Sequence, residues 1–123
     1  MKKTTRKTWI RKLDKLWREI IKKRSAGYCE LCAKPGTDCH HIEHKSPQIL
    51  RWNLDNGIYL CFRCHRLGMH HPASSVQMSF RKQLIAMLGQ KQMDELKRMR
   101  HALRKYSLKD LEELYSQLKS QLT

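Results

Sequence analysis

Acidic side chains are scarce in this sequence. Only 11 Asp and Glu face 26 Lys and Arg in 123 residues, a formal charge of +15 with His neutral. Long apolar runs are missing too. None approaches the roughly 18 residues a membrane span needs. No apolar stretch of signal type follows the basic start Met1-Lys2-Lys3-Thr4-Thr5-Arg6-Lys7. These absences argue against a secreted or membrane protein and for a cytoplasmic one. There is no internal repeat and no low-complexity tract. At 40% hydrophobic and 30% charged residues, the chain is too apolar to be disordered throughout. Its length fits one compact domain with a limited core, or a small domain with helical arms.

The positive charge is uneven. Residues 1–24 hold 11 basic and 2 acidic groups, residues 25–75 hold 5 and 4, and residues 76–123 hold 10 and 5. Such a chain attracts polyanions and releases counterions on binding DNA or RNA. A basic membrane-surface protein is the competing reading. The neutral middle speaks against it, because that segment carries a metal-type cluster a membrane anchor does not need.

Three segments follow from the pattern. Residues 1–27 are a basic tail and an amphipathic helix over 8–24, with Trp9, Ile10, Leu13, Leu16, Trp17, Ile20 and Ile21 at helical spacing and Gly27 as a stop. Residues 28–72 hold all five Cys and six of the seven His, with turn signals at Lys34-Pro35-Gly36, Ser46-Pro47 and Asp55-Asn56-Gly57. Short strands are expected at Cys39–Ile42 and Ile58–Leu60, then a helix from Cys61 to about His71-Pro72. Residues 73–123 read as three helices: Val76–Leu88, Lys91–Lys105 with Met93, Leu96, Met99 and Leu103 on one side, and one opened by a capping box at Ser107 and Asp110. The last carries a leucine stripe that either folds back or pairs with a second copy. The fold class is α-rich α+β.

Cys29-Glu30-Leu31-Cys32 and Cys61-Phe62-Arg63-Cys64 are two Cys-x-x-Cys knuckles. A tetrahedral zinc wants four thiolates, and a two-residue gap lets one turn offer two of them. Metal-binding energy would then supplement the small core. Redox pairs and unrelated buried thiols are the alternatives. Cys39 has no such partner and reads as a strand-interior thiol.

Between and after the knuckles lie Cys39-His40-His41-Ile42, Asn56, His65, His70 and His71. An extended strand sends His40 and His41 to opposite faces, so one imidazole can bind a metal while its neighbour does another task. His70 is five residues after His65, an imperfect helical match, and stands as a candidate third ligand. Asn56-Gly57 also fits a tight turn. His44 is expected to touch phosphate or stay exposed, His71 to end a helix, and His101 to have no catalytic role.

His-His-Ile, then Asn56-Gly57-Ile58-Tyr59-Leu60-Cys61, then Cys64-His65 resembles the HNH (ββα-metal) endonuclease family with a four-cysteine zinc site, over residues 29–71. Leu13-Asp14-Lys15-Leu16-Trp17, the run Arg51-Trp52-Asn53-Leu54-Asp55-Asn56-Gly57 and the three-helix tail are similar, more narrowly, to phage NinG/Rap-type recombination proteins. The resemblance implies a zinc-stapled ββα-metal core flanked by the N-terminal helix and a C-terminal helical tail. It implies that Cys29, Cys32, Cys61 and Cys64 hold structural Zn2+. It makes His40 and His65 ligands of a catalytic divalent ion, His41 the general base, and Asn56 the residue that fixes the loop and orients the base. The products would carry a 5′ phosphate and a 3′ hydroxyl. Many members place Asp where His40 stands. Imidazoles make the site softer, so Mn2+, Ni2+, Co2+ or Zn2+ join Mg2+ as candidate ions.

The expected partner is DNA, duplex or branched, gripped by Arg11, Lys15, Arg18 and Lys22 of the first helix together with Arg51 and Trp52. Trp52 either packs its loop or stacks on an exposed base. The expected activity is metal-dependent DNA phosphodiester hydrolysis in phage-type recombination or DNA processing. A homodimer through the helical tail is a further expectation by analogy. The rival is a non-catalytic zinc module that binds nucleic acid or serves recombination as an accessory.

Overall fold

The computed structural model describes residues 5–45, 47–102 and 104–122. Lys2 and Lys3 of the basic start, Ser46 of the expected turn and Leu103 of the expected helical stripe lie outside the described residues. Helix α1 (Arg6–Arg24) begins two residues before the expected start at residue 8 because Thr5 caps it, its hydroxyl accepting from the Thr8 N–H at 3.2 Å. Its last turn carries Lys22, Lys23 and Arg24 at the negative end of the helix dipole. No described helix is long and apolar enough to cross a membrane.

Strands β1 (Asp38–His41) and β2 (Gly57–Leu60) pair antiparallel, with Asp38 opposite Leu60, Cys39 opposite Tyr59, His40 opposite Ile58 and His41 opposite Gly57. Alternation gives this two-stranded sheet two distinct faces. Asp38, His40, Ile58 and Leu60 share one; Cys39, His41, Gly57 and Tyr59 share the other. Between the strands the chain makes a short helix α2 (Gln48–Arg51) and a 3-10 turn over Leu54–Asn56, neither expected from the sequence.

After β2 comes α3 (Phe62–Cys64), and then a π turn over His65–Met69 replaces the continuous helix expected to His71. The His70 N–H donates to the His65 carbonyl at 3.0 Å, a five-residue step. Helix α4 (Ser74–Leu88) packs on this turn at Gly68, where a Cβ would lie 2.6 Å from the Phe80 ring. Helix α4 stops before Gly89 as expected, and α5 (Gln90–Met99) follows. Helix α5 ends well short of Lys105. The backbone of Tyr106 is held by side chains instead of by a helix: its N–H donates to Gln48 Oε1 at 2.7 Å, and its carbonyl accepts from Arg6. Helix α6 (Leu108–Lys119) opens on the Ser107–Asp110 capping box.

Two cores form, one on each side of the sheet. Ile42, Leu50, Ile58 and Leu60 meet Leu84 of α4 and Met93 and Leu96 of α5. Leu13, Leu16, Trp17, Ile20 and Ile21 of α1 meet Trp52, Tyr59, Leu111 and Leu118. The leucine stripe of α6 therefore folds back on α1. Leu111 and Leu118 are buried there. The result is a mostly helical α+β chain built round a small antiparallel sheet.

Candidate metal centres and active site

The first cysteine knuckle is a tight reversal. The Cys29 N–H donates to the Lys34 carbonyl at 2.7 Å, and the Ala33 N–H to the Cys29 carbonyl at 2.9 Å. Glu30 joins it to β2: its backbone N–H donates to the Tyr59 carbonyl (2.9 Å), while its carboxylate accepts from the Tyr59 N–H (2.7 Å). The second knuckle starts α3, with the Cys61 sulfur accepting from the Cys64 N–H at 3.4 Å. The sulfurs of Cys29, Cys32, Cys61 and Cys64 all lie within 4.8 Å of one another. Cys32 and Cys61 Sγ are 3.6 Å apart, close to the roughly 3.8 Å edge of a tetrahedron with 2.3 Å metal–sulfur bonds. Burial raises the Cys61 thiol, but the Cys64 N–H and the neighbouring thiols outweigh it and bring its pKa to about 7. The four thiols can hold one metal ion, and their donor set fits structural zinc.

A second cluster begins at the next residue. His40, His65 and His70 each offer a ring nitrogen within 4.8 Å of the others. The π turn explains why a five-residue spacing works. An ordinary helix would rotate His70 away from His65, whereas the wider turn sets the rings 4.7 Å apart. His65 Nδ1 donates to Asp38 Oδ2 at 2.9 Å, which leaves the His65 Nε2 lone pair facing the cluster. His65 Nε2 and His70 Nε2 are 3.1 Å apart, within the roughly 3.0–3.4 Å expected for two imidazoles sharing an ion at about 2.1 Å. Burial, then the His65 and His70 rings, lower the His40 pKa to about 3. Its imidazole is neutral at physiological pH, as a ligand must be. His70 is exposed, so the cluster opens to solvent on that side.

His41 projects from the opposite face. Its ring stacks on Trp17 at 4.1 Å with only 3° between planes, and Trp17 Nε1 is fixed by donating to the Asn53 carbonyl at 3.0 Å. Gly57 makes this packing fit: a Cβ there would lie 2.6 Å from both Trp17 and Ile21. His41 Nε2 donates to the Arg51 carbonyl at 2.9 Å, leaving Nδ1 as the proton-accepting nitrogen. Burial lowers its pKa below the usual histidine value and favours the neutral ring.

Asn56 is fully buried and ends the 3-10 turn, but Asn56-Gly57 is not the centre of a tight hairpin turn, since Gly57 is extended at φ −121°. Its side-chain oxygen accepts from the Glu43 N–H (2.7 Å), and its NH2 donates to the Glu43 and Leu50 carbonyls (3.0 Å each). It thereby pins both ends of the 43–50 loop, one residue short of the carbonyl that holds His41. The Glu43 carboxylate is buried and pairs with Arg81 of α4 at 2.9 Å.

The basic residues divide into two groups. Arg11, Lys15, Arg18 and Lys22 are exposed along one stripe of α1. Arg18 and Lys45 border a small crevice that also contains His41, Cys39, Trp17 and Asp14. Arg51 and Trp52 behave otherwise. Arg51 Nε and Nη2 clasp Asp14 at 2.9 and 2.7 Å, and Trp52 Nε1 donates to the same carboxylate at 2.8 Å. Trp52 is 2% exposed, which corrects the base-stacking reading: its ring packs the loop. The Arg51 guanidinium is already paired, and its contribution to the site is its carbonyl. Cys39 is half-buried, with burial raising its thiol pKa to about 11, as a strand-interior thiol requires. His44 is exposed, and His71 accepts the Ala73 N–H at the chain bend before α4.

Sequence reasoning missed Asp38, Trp17, Asp14 and Lys45. Only Asp38 carried a usable signal, since it lies two residues before His40 and so on the same strand face. No curated protein and no solved structure gives a match to the chain. The family model described as Bacteriophage Lambda NinG protein matches residues 1–123. The chain therefore belongs to the bacteriophage lambda NinG protein family.

Proposed function

We propose that the protein is a zinc-stabilised, metal-dependent endonuclease of HNH type that hydrolyses DNA phosphodiester bonds in phage recombination or DNA processing, with branched DNA as a candidate substrate. The observation that carries this reading is the strand pair His40–His41. One imidazole joins a three-histidine metal-type cluster, and the next is held neutral beside a basic helix. A divalent ion on His40, His65 and His70 would supply charge to a non-bridging phosphate oxygen and to the leaving 3′ oxygen.

The remaining chemistry falls to side chains. His41 takes the proton of the attacking water at Nδ1, and the charge gained is shared through Nε2–H with the Arg51 carbonyl. Asn56 keeps that carbonyl in place by fixing the 43–50 loop. Asp38 orients His65. The exposed stripe Arg11, Lys15, Arg18 and Lys22 guides the phosphate backbone toward the His41 crevice.

The test is plasmid nicking by folded, zinc-loaded wild type and His41→Ala, with Mg2+, Mn2+, Ni2+ or Co2+. Metal-dependent nicking by the wild type, lost in the variant, is the expected result. If the wild type binds duplex, single-stranded and branched DNA but cuts none of them with any ion, the non-catalytic zinc module replaces this reading.

A further inference from the structure

The 43–50 loop has two flanks. Lys45 borders the His41 crevice on one side. On the other, His44, Pro47 and Gln48 line an open cavity of about 880 Å³ between the start of α1 and the chain entering α6. Arg6, Arg100, Arg104 and Lys105 also line it, with Tyr106, and none of its described lining residues is Asp or Glu.

These cations have different duties. Arg6 builds the wall by donating to Gln48 Oε1 at 3.3 Å and to the Tyr106 carbonyl. Arg100 lies 4.0 Å from the Glu43 carboxylate. Arg104 and Lys105 are exposed, and the Arg104 guanidinium lies 5.1 Å from the centre of the Tyr106 ring. A guanidinium held against an aromatic face is preorganised for phosphate. A cavity of this volume with four cations on its wall suits a chain of phosphates.

We propose that this cavity is a second phosphate-binding site for nucleic acid, on the far side of the loop from His41. It engages backbone phosphates other than those tracked by Arg11, Lys15, Arg18 and Lys22, none of which lines it. The inference rests on the nucleic-acid reading above and does not need the cleavage chemistry.

The test compares wild type, the double variant Arg104→Gln/Lys105→Gln, and a control, Lys109→Gln/Lys119→Gln, that removes two exposed cations from α6 outside the cavity. Binding of a short random-sequence duplex is followed by fluorescence anisotropy across a salt series without added divalent ion, so that cleavage does not intervene. Two lost phosphate contacts should flatten the log Kd against log salt slope by about 1.8 in the cavity variant and leave the control at the wild-type slope. Equal slopes in wild type and cavity variant overturn the proposal while the endonuclease reading stands, as does an equal fall in the control. Absence of duplex binding by the wild type defeats both. Inorganic phosphate at matched ionic strength should not displace the duplex. Displacement from the wild type but not from the cavity variant would mark a free-phosphate site instead and also overturn the proposal.

Discussion

Cys64 and His65 are consecutive in the chain but belong to clusters of opposite design. The four-thiol cluster is closed: three of its cysteines are buried, and every tetrahedral position has a protein ligand available. The three-imidazole cluster is open, with an exposed His70 and one fewer protein ligand. A closed soft site suits an ion that holds structure; an open site leaves coordination positions for water or a phosphate oxygen. One short segment, α3 and the π turn after it, contributes ligands to both, so the four-thiol cluster sets where the three-imidazole cluster stands.

Breaking the closed site should have the largest effect. Cys61→Ser is expected to lose the zinc and the cooperative thermal transition together, since structural zinc binding is worth roughly 10 kcal/mol or more to small domains. Metal analysis with thermal denaturation checks this; a stably folded, zinc-free variant would contradict it. The next effect belongs to the other face of β1. His41→Ala should lower cleavage by about 10²–10⁴-fold with zinc content and duplex affinity unchanged, measured by nicking rate beside metal analysis and anisotropy.

A smaller change sharpens the contrast between the clusters. Asp38→Asn weakens the acceptor that orients His65, and should reduce affinity for Mn2+ or Co2+ by about 10–100-fold without touching zinc content. Calorimetric titration reads it, and unchanged affinity would leave Asp38 without a role at the open site. The smallest effect concerns Asp14. Burial raises its carboxyl pKa, but Arg51 and Trp52 outweigh burial and hold it below 3.8. A depressed carboxyl stabilises the fold fully above the unfolded pKa and loses that stabilisation as pH falls through the folded one. Between neutral pH and pH values below 3.8, wild type should therefore lose stability more steeply than Asp14→Asn. Parallel denaturation profiles would contradict it.

Much of this was legible in the sequence where chemistry follows local spacing. The two Cys-x-x-Cys pairs, the period-2 separation of His40 from His41, and the Ser107–Asp110 cap depend on residues a few positions apart. Spacing stops being a guide where the backbone departs from standard periods. An α-helix cannot superpose a five-residue step such as His65 to His70, and the π turn that does so has no spacing signal; its Gly68 lies under Phe80 of α4. Long-range pairing was equally hidden. Asp14 clasps Arg51 and Trp52, and Trp17 stacks on His41, only because α1 closes over Gly57. Spacing alone left Trp52 either packing its loop or stacking on a base, and the Asp14 clasp of Arg51 and Trp52 decides for packing.

Two neighbouring clusters that hold two ions for different purposes should answer separately to substitution. Native mass spectrometry of wild type and His40→Ala, purified with zinc and then titrated with Co2+, tests it most directly. One retained zinc is expected in both proteins and a second, exchangeable ion in the wild type only. Loss of the zinc from His40→Ala, or an undiminished second ion in that variant, would contradict it.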